Sequence, residues 1–199
     1  MKMLKMNSLK MYVNFSVVVL LLLTACGSSG DNNNTPSENK PNAKLTAEKP
    51  KVDLPAAVIS GNLEIVKQHI EAGTNINTKD QLSGSTPLIT AITFGKTDIA
   101  KTLIDANADL TVKNNEGATA LHIAAFFGRI EIVQMLIDAN ADKTVKNNFG
   151  ATARETVIVP FSEVKPIYEM IQIQLEPFNF HLNLNEVEKN RPVIAMMLQ

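Results

Sequence analysis

Two stretches of this chain repeat each other at a spacing of 33 residues, and that spacing constrains the fold more than any other feature. Gly84-Ser85-Thr86-Pro87-Leu88 leads on to Leu103-Ile104-Asp105-Ala106-Asn107-Ala108-Asp109, and Gly117-Ala118-Thr119-Ala120-Leu121-His122 leads on to Leu136-Ile137-Asp138-Ala139-Asn140-Ala141-Asp142. Gly95 returns as Gly128, and Val112-Lys113-Asn114-Asn115 returns as Val145-Lys146-Asn147-Asn148. Gly117-Ala118-Thr119-Ala120 returns once more as Gly150-Ala151-Thr152-Ala153. A fixed period of this length describes stacked units that bury their apolar faces only against one another. Such a stack offers an extended surface, which suits binding better than catalysis.

Within each period the apolar residues predict a short helix and then a longer one, about Pro87–Phe94 with Asp98–Ala106, and Ala120–Phe127 with Ile130–Ala139. A weaker copy runs from Asp53 to about Asp80, where Gly61-Asn62-Leu63-Glu64-Ile65-Val66 matches Gly128-Arg129-Ile130-Glu131-Ile132-Val133. Gly61 and Gly95 are 34 residues apart, so one residue is inserted, and the loop between Ile76 and Gly84 is the expected place for it. A fourth copy starts at Asn147, and its second helix is expected to carry Val164, Ile167, Met170 and Ile171. The Asn-Asn-Glu-Gly and Asn-Asn-Phe-Gly stretches are turn chemistry, because Asn and Gly accept left-handed backbone.

The period, the Thr86-Pro87-Leu88 opening and the Thr119-Ala120-Leu121-His122 opening resemble the ankyrin repeat. The resemblance implies an all-α solenoid of about four helix-turn-helix repeats, over residues 51–80, 81–113, 114–146 and 147–172, with finger loops and an atypical C-terminal cap. Residues 173–199 would form that cap. Phe178-Asn179-Phe180-His181-Leu182-Asn183-Leu184-Asn185 alternates apolar and polar, a strand period, and is expected to lie as an extended strap over the last repeat. Asn185 followed by Glu188 predicts a helix cap, and Arg191–Leu198 a closing helix.

The N-terminal segment reads differently. Lys2, Lys5 and Lys10 precede an apolar run from Val17 to Leu23, followed by Thr24, Ala25 and Cys26. A basic start, a short apolar middle and small residues before a cut site describe a signal peptide, and the run is too short to span a bilayer. Leu23-Thr24-Ala25-Cys26 resembles the lipobox of bacterial lipoproteins, which implies cleavage after residue 25 and lipidation of Cys26, the chain's one cysteine. Residues 26–50 are rich in Ser, Asn, Pro and Gly and hold one large aliphatic residue, Leu45, so they predict a disordered tether. The implied location is the bacterial envelope, facing the periplasm, with Gly27 favouring the outer membrane. Three of the 19 basic residues precede Cys26, leaving 16 against 20 acidic ones. That acidic balance and the lack of a basic stripe argue against a nucleic-acid partner.

No chemistry-bearing constellation is legible. His122 holds the His position of the repeat motif, where the resemblance implies a structural hydrogen bond to the Thr hydroxyl. His69 and His181 have no partner at metal-ligand spacing. No nucleophile triad or phosphate loop is present, so neither cofactor nor metal is expected. The resemblance implies binding residues instead. The two residues before each mid-repeat glycine face the concave groove, which gives Ile59, Ser60, Thr93, Phe94, Phe126 and Phe127. The residue before each finger glycine faces the same way, which gives Ser83, Glu116 and Phe149. The aromatic members would form an exposed stripe of binding anchors; the alternative is that Phe126 packs between repeats, Phe149 lies under the strap, or the chain's own tail covers the groove. The expected function is a monomeric, non-catalytic module that binds a partner protein. A second reading is an immunity protein that plugs an antibacterial toxin, and an adjacent toxin gene would favour it. A third is an enzyme, which a cleft with a strongly perturbed carboxylate or His would favour.

Overall fold

The computed structural model describes residues 49–199. The signal-peptide and Cys26 readings, and the tether reading up to residue 48, fall outside the described part. Among the described residues there are helices and no strands, in the order α1 (Leu54–Ser60), α2 (Leu63–Glu71), α3 (Pro87–Thr93), α4 (Thr97–Asp105), α5 (Ala120–Phe126), α6 (Ile130–Asp138), α7 (Ala153–Ile158), α8 (Phe161–Leu175) and α9 (Leu184–Met197). A 3-10 turn, Glu176–Phe178, follows α8.

The short helices start where the sequence supplies caps. Thr86 accepts the N–H of Ile89, and Pro87 begins α3, where a missing N–H costs nothing. Thr119 and His122 form a reciprocal capping box on α5, and Thr152 with Glu155 forms one on α7. His122 also reaches the next repeat: Nδ1 lies 2.9 Å from Thr119 Oγ1 and Nε2 lies 3.1 Å from the Ala151 carbonyl. Burial holds its pKa below the usual histidine value, so the neutral ring bridges two repeats. In the fourth repeat Glu155 takes over the cap, and Arg154, where a leucine stands before, donates from Nε to the Ala195 carbonyl at 3.1 Å.

The short helices α1, α3, α5 and α7 pack in sequence, and the long helices α2, α4 and α6 pack behind them. Leu88, Ile92, Leu103, Leu121, Val133 and Leu136 are at most 1 % exposed, so the core lies between the two rows. The fingers are stitched together at the repeat period. Asn115 donates from its backbone N–H to Ser83 O and from Nδ2 to Leu82 O, and Asn148 does the same to Glu116 O and Asn115 O. The inserted residue is at the tip of the first finger. Asp80 N pairs with Ser85 O, whereas the later fingers close one residue sooner, Asn114 N with Ala118 O and Asn147 N with Ala151 O.

The fourth repeat departs from the sequence expectation. Its long helix is not the segment carrying Val164, Ile167, Met170 and Ile171. The helix that packs beside α6 and α7 is α9. Residues 159–183 are an insertion between the repeat's two helices, and α8 within it crosses the concave face. The reason lies in which partners bury the apolar stripe. Val164, Ile167, Tyr168, Ile171 and Leu175 share one face of α8 and are all buried, against α5 and the fingers rather than against α6. Pro166 sits in the first turns of α8 and leaves it intact. The cap of α9 is Asn183, not Asn185: Asn183 Oδ1 accepts the N–H of Glu186, as Asn62 Oδ1 accepts that of Ile65 at the start of α2. Residues 179–183 are irregular rather than a strand. Their alternation holds because Phe180 and Leu182 are buried while His181 and Asn183 are exposed. They lie over the second and third repeats rather than the last one, since Phe180 packs edge-on to Phe94 and Phe127 with centroids at 5.8 and 6.0 Å.

One buried cation fixes this arrangement. Arg191, on α9, is 3 % exposed; it donates to Tyr168 Oη at 3.0 Å and to the Thr156 and Val159 carbonyls at 3.2 and 2.7 Å. The two carbonyls are at the C-terminal end of α7, where a positive charge is favoured. Tyr168 Oη in turn donates to the Phe126 carbonyl at 2.6 Å. A single chain of hydrogen bonds thus joins α9, α7, α8 and α5.

Candidate functional site

The concave face is bounded by the short helices on one side and the fingers on the other. Helix α8 enters it from the fourth repeat and divides it. Over the third and fourth repeats the groove is filled. Phe126 packs on Tyr168 with centroids at 4.6 Å, and Phe161 stacks on Tyr168 at 5.8 Å. Only about 50 Å³ remains there, lined by Glu116, His122, Phe126, Phe149, Val164 and Ile167 among others. Over the first and second repeats the groove is open. A cavity of about 680 Å³ runs from Asp53, Pro55 and Ile59, past Ile89, Thr90, Thr93 and Phe94, to Phe127. Ile171, Leu175 and Phe178 close its far end, and the Asp80–Ser85 finger with Asn114 and Glu116 forms its rim.

The groove residues expected from sequence divide along the same line. Ile59, Thr93, Phe94, Phe127 and Glu116 line the open cavity. Phe126 and Phe149 line the filled part, together with Glu116, which reaches both. Ser60 lines neither; its hydroxyl donates to the Ala56 carbonyl at 2.8 Å. The expectation of an exposed aromatic stripe is corrected here. Phe127 is 3 % exposed, and Phe94 is half-buried under Phe178 and Phe180. The chain's own tail covers these rings because α8 and the segment after it supply an apolar surface that no partner has to provide. Sequence reasoning missed Asp53, Asp80, Ile171, Leu175 and Phe178 as groove residues. One signal was present: Asn62-Leu63-Glu64-Ile65-Val66 has a second counterpart in Asn183-Leu184-Asn185-Glu186-Val187, which marks the true long helix and exposes residues 159–183 as an insertion.

The open half has a definite electrostatic character. Asp80 is fixed in the first fingertip, where its carboxylate accepts the N–H groups of Leu82, Ser83 and Ser85 and the Ser83 hydroxyl. Burial pushes its pKa up, but those hydrogen bonds outweigh burial and hold it below the usual carboxylate value. Glu116 is the opposite case. It is 9 % exposed, and its carboxylate accepts from its own backbone N–H and has no hydrogen bond or ion pair with another of the described residues. Burial, with the nearby Asp80 charge adding to it, raises its pKa above the usual value. Among the described residues lining the cavity there are three carboxylates, Asp53, Asp80 and Glu116, and no Lys, Arg or His.

The buried histidines are both engaged structurally: His69 contacts Thr74 Oγ1 at 3.0 Å and Val52 O at 2.8 Å, and His122 bridges repeats as described. Among the described residues no group of three or more His, Cys, Asp or Glu could hold a metal ion, and no helix is long and apolar enough to cross a membrane.

Comparison with known proteins agrees with this architecture. Residues 54–147 match the family model for ankyrin repeats in three copies. Over 61 residues the chain is 44 % identical to protein phosphatase 1 regulatory subunit 27 of Homo sapiens and of Mus musculus. It is 29 % identical over 61 residues to an ankyrin repeat-containing protein of Schizosaccharomyces pombe. These alignments cover 31 % of this chain, 39 % of each mammalian protein and 29 % of the yeast protein. The chain therefore carries three matched ankyrin repeats over residues 54–147, and its described residues fold as an ankyrin-repeat solenoid closed by an interrupted fourth unit.

Proposed function

We propose that this protein is a non-catalytic binding module, held at the bacterial envelope by a lipid on Cys26, that seats a segment of a partner protein in the open half of its concave groove. The observation that carries the reading is the 680 Å³ cavity, apolar on its floor and polar at its rim, left open over the first two repeats while the chain's own helix fills the rest. A preformed concave site with apolar walls and a few placed polar groups is what a ligand needs. The mammalian relatives are named as regulatory subunits, which favours partner binding over catalysis. Anchoring is supported by Leu23-Thr24-Ala25-Cys26.

Thr90 is half-buried on the groove floor, and Thr90→Trp would fill the cavity without touching the core. Pull-down from envelope extract with the wild-type chain and with Thr90→Trp, followed by mass spectrometry, tests the site. A protein retained by the first and lost from the second is expected; equal retention by both places binding elsewhere. Cys26→Ser tests the anchor separately. The variant should leave the detergent phase or remain an uncleaved precursor, and unchanged partitioning of a mature-sized product would exclude lipidation.

A further inference from the structure

The open groove is lined by three carboxylates, of which the fold employs Asp53 and Asp80 and leaves Glu116 without a partner among the other described residues. We infer that its occupant is a cationic, apolar segment of the partner protein: a Lys or Arg side chain set against Glu116 and Asp80, with apolar neighbours on Ile59, Ile89 and Phe94. This rests on the groove-binding reading above and adds the chemistry of the ligand to it.

Three observations lead to it. First, the charge is one-sided. The described lining holds Asp53, Asp80 and Glu116 with no basic residue, and the other lining groups are apolar or neutral. An occupant of the same sign would meet repulsion inside low-dielectric walls, and a neutral one would leave the carboxylates without compensation. Secondly, the carboxylates differ in how far the protein satisfies them. Asp53 caps α1 by accepting the Ala56 N–H at 2.9 Å, and Asp80 is held by its own fingertip. Glu116 is nine-tenths buried, reaches both parts of the groove and has no partner beyond its own backbone. Its own N–H takes up only part of what a carboxylate can accept, and the remaining capacity faces the groove, where an occupant can use it. Thirdly, the apolar floor lies beside the charge. Ile59, Ile89 and Phe94 come from consecutive short helices, so a segment lying along the groove meets them and Glu116 together. An Arg suits the site especially, since its planar fork can bond Glu116 while its stem covers apolar surface.

The test uses the full chain, immobilised, to select from a random dodecapeptide phage library. Three variants serve as controls: Glu116→Gln, Asp80→Asn and Thr90→Trp. The expected result is enrichment of peptides with a Lys or Arg flanked by large apolar residues, competed away on Thr90→Trp and weakened at least about tenfold on Glu116→Gln, as loss of a charge-assisted hydrogen bond requires. Asp80→Asn should weaken them less, because its carboxylate is already engaged. Enriched peptides without a cation that still depend on Thr90 would overturn the charge assignment and leave groove binding standing. Peptides indifferent to Thr90→Trp, or no enrichment at all, would overturn both. Melting curves of Glu116→Gln at the wild-type temperature or above show that weakened binding is not lost folding.

Discussion

The two halves of the concave face begin with the same equipment and end in different states. Each short helix presents its last residues to the groove, Ile59 from α1, Thr93 and Phe94 from α3, and Phe126 and Phe127 from α5. Over the third and fourth repeats those residues are covered by α8, with Tyr168 seated on Phe126 and Phe127. Over the first two, Ile59 and Thr93 line the open cavity, and Phe94 lines it from a half-buried position under Phe178 and Phe180. Position within a repeat thus decides which face a side chain joins. Whether that face is available depends on segments outside the repeat, here residues 159–183. The filled half is an interior in all but topology, and substitutions there should act on stability. The open half should respond in binding.

The largest effect is expected in the filled half. Tyr168 is fully buried, touches three aromatic rings and bonds Phe126 O and Arg191. Tyr168→Ala should cost about 3–5 kcal/mol, in the range of a buried aromatic truncation. Phe127→Ala should cost a similar amount, and Phe94→Ala clearly less, since its ring is only half-buried. Thermal melts rank the three. Equal and small losses at Tyr168 and Phe94 would show that α8 does not hold its place in solution and that the two halves are alike.

Next comes the anchor of that helix. Arg191→Met removes the donors for Thr156 O, Val159 O and Tyr168 Oη and leaves two helix-end carbonyls buried. A loss of about 3 kcal/mol is expected, as for a charge-assisted network. Arg191→Lys should recover only part of it, because one ammonium cannot serve three acceptors in that fork. Full rescue by Lys would mean that charge at the end of α7, not the hydrogen-bond geometry, keeps α8 in the groove.

Most of this fold was readable in the chain, and the unread part has a physical cause. The short and long helices of the second and third repeats, the bond between His122 and the Thr119 hydroxyl, and the extra residue in the first finger loop are local features. Each acts within a few residues of itself, so sequence shows it directly. The placement of α8 is not local. Its stripe of Val164, Ile167, Tyr168 and Ile171 suits any apolar surface, and nothing in the stripe says whether that surface is the back of α6 or the front of α5. The competition is settled by tertiary terms, above all the Arg191–Tyr168–Phe126 chain, whose members are 23 and 42 residues apart. The same holds for the groove: Glu116 was named from its register, but its isolation as a buried acceptor emerges only once the fingers and α8 surround it.

A smaller pair of effects tests whether the open half is rigid without a lid. Gly84 has φ +67°, and a Cβ there would run into the Asn115 side chain and backbone. Gly150 has φ +79° and open space around it. Gly150→Ala should cost about 1–2 kcal/mol from left-handed backbone alone. Gly84→Ala adds overpacking of about 1 kcal/mol or more to that strain. Chemical denaturation of both variants gives the difference. If Gly84→Ala is as mild as Gly150→Ala, the first two fingers are not tightly stitched, and the open half is not a preformed groove.

The smallest effect separates binding from stability within one side chain. Glu116 has a folded pKa above its ordinary value of 4.5, raised first by burial and then by the Asp80 charge. As pH rises the unfolded chain gives up this proton before the folded chain does. Folding stability therefore falls as pH climbs from about 4.5 through the raised value, and the loss persists at neutral pH. Glu116→Gln removes that slope. The variant should be as stable as wild type at low pH and slightly more stable at pH 7, by an amount on the order of 0.5 kcal/mol. Melting temperatures measured from pH 4 to 8 test the sign. A variant that melts earlier than wild type at pH 7 would show that the carboxylate serves the fold, and the open half would then be as structural as the filled one. A variant that melts later makes the charge a cost to folding, and only a ligand could turn that cost into an advantage.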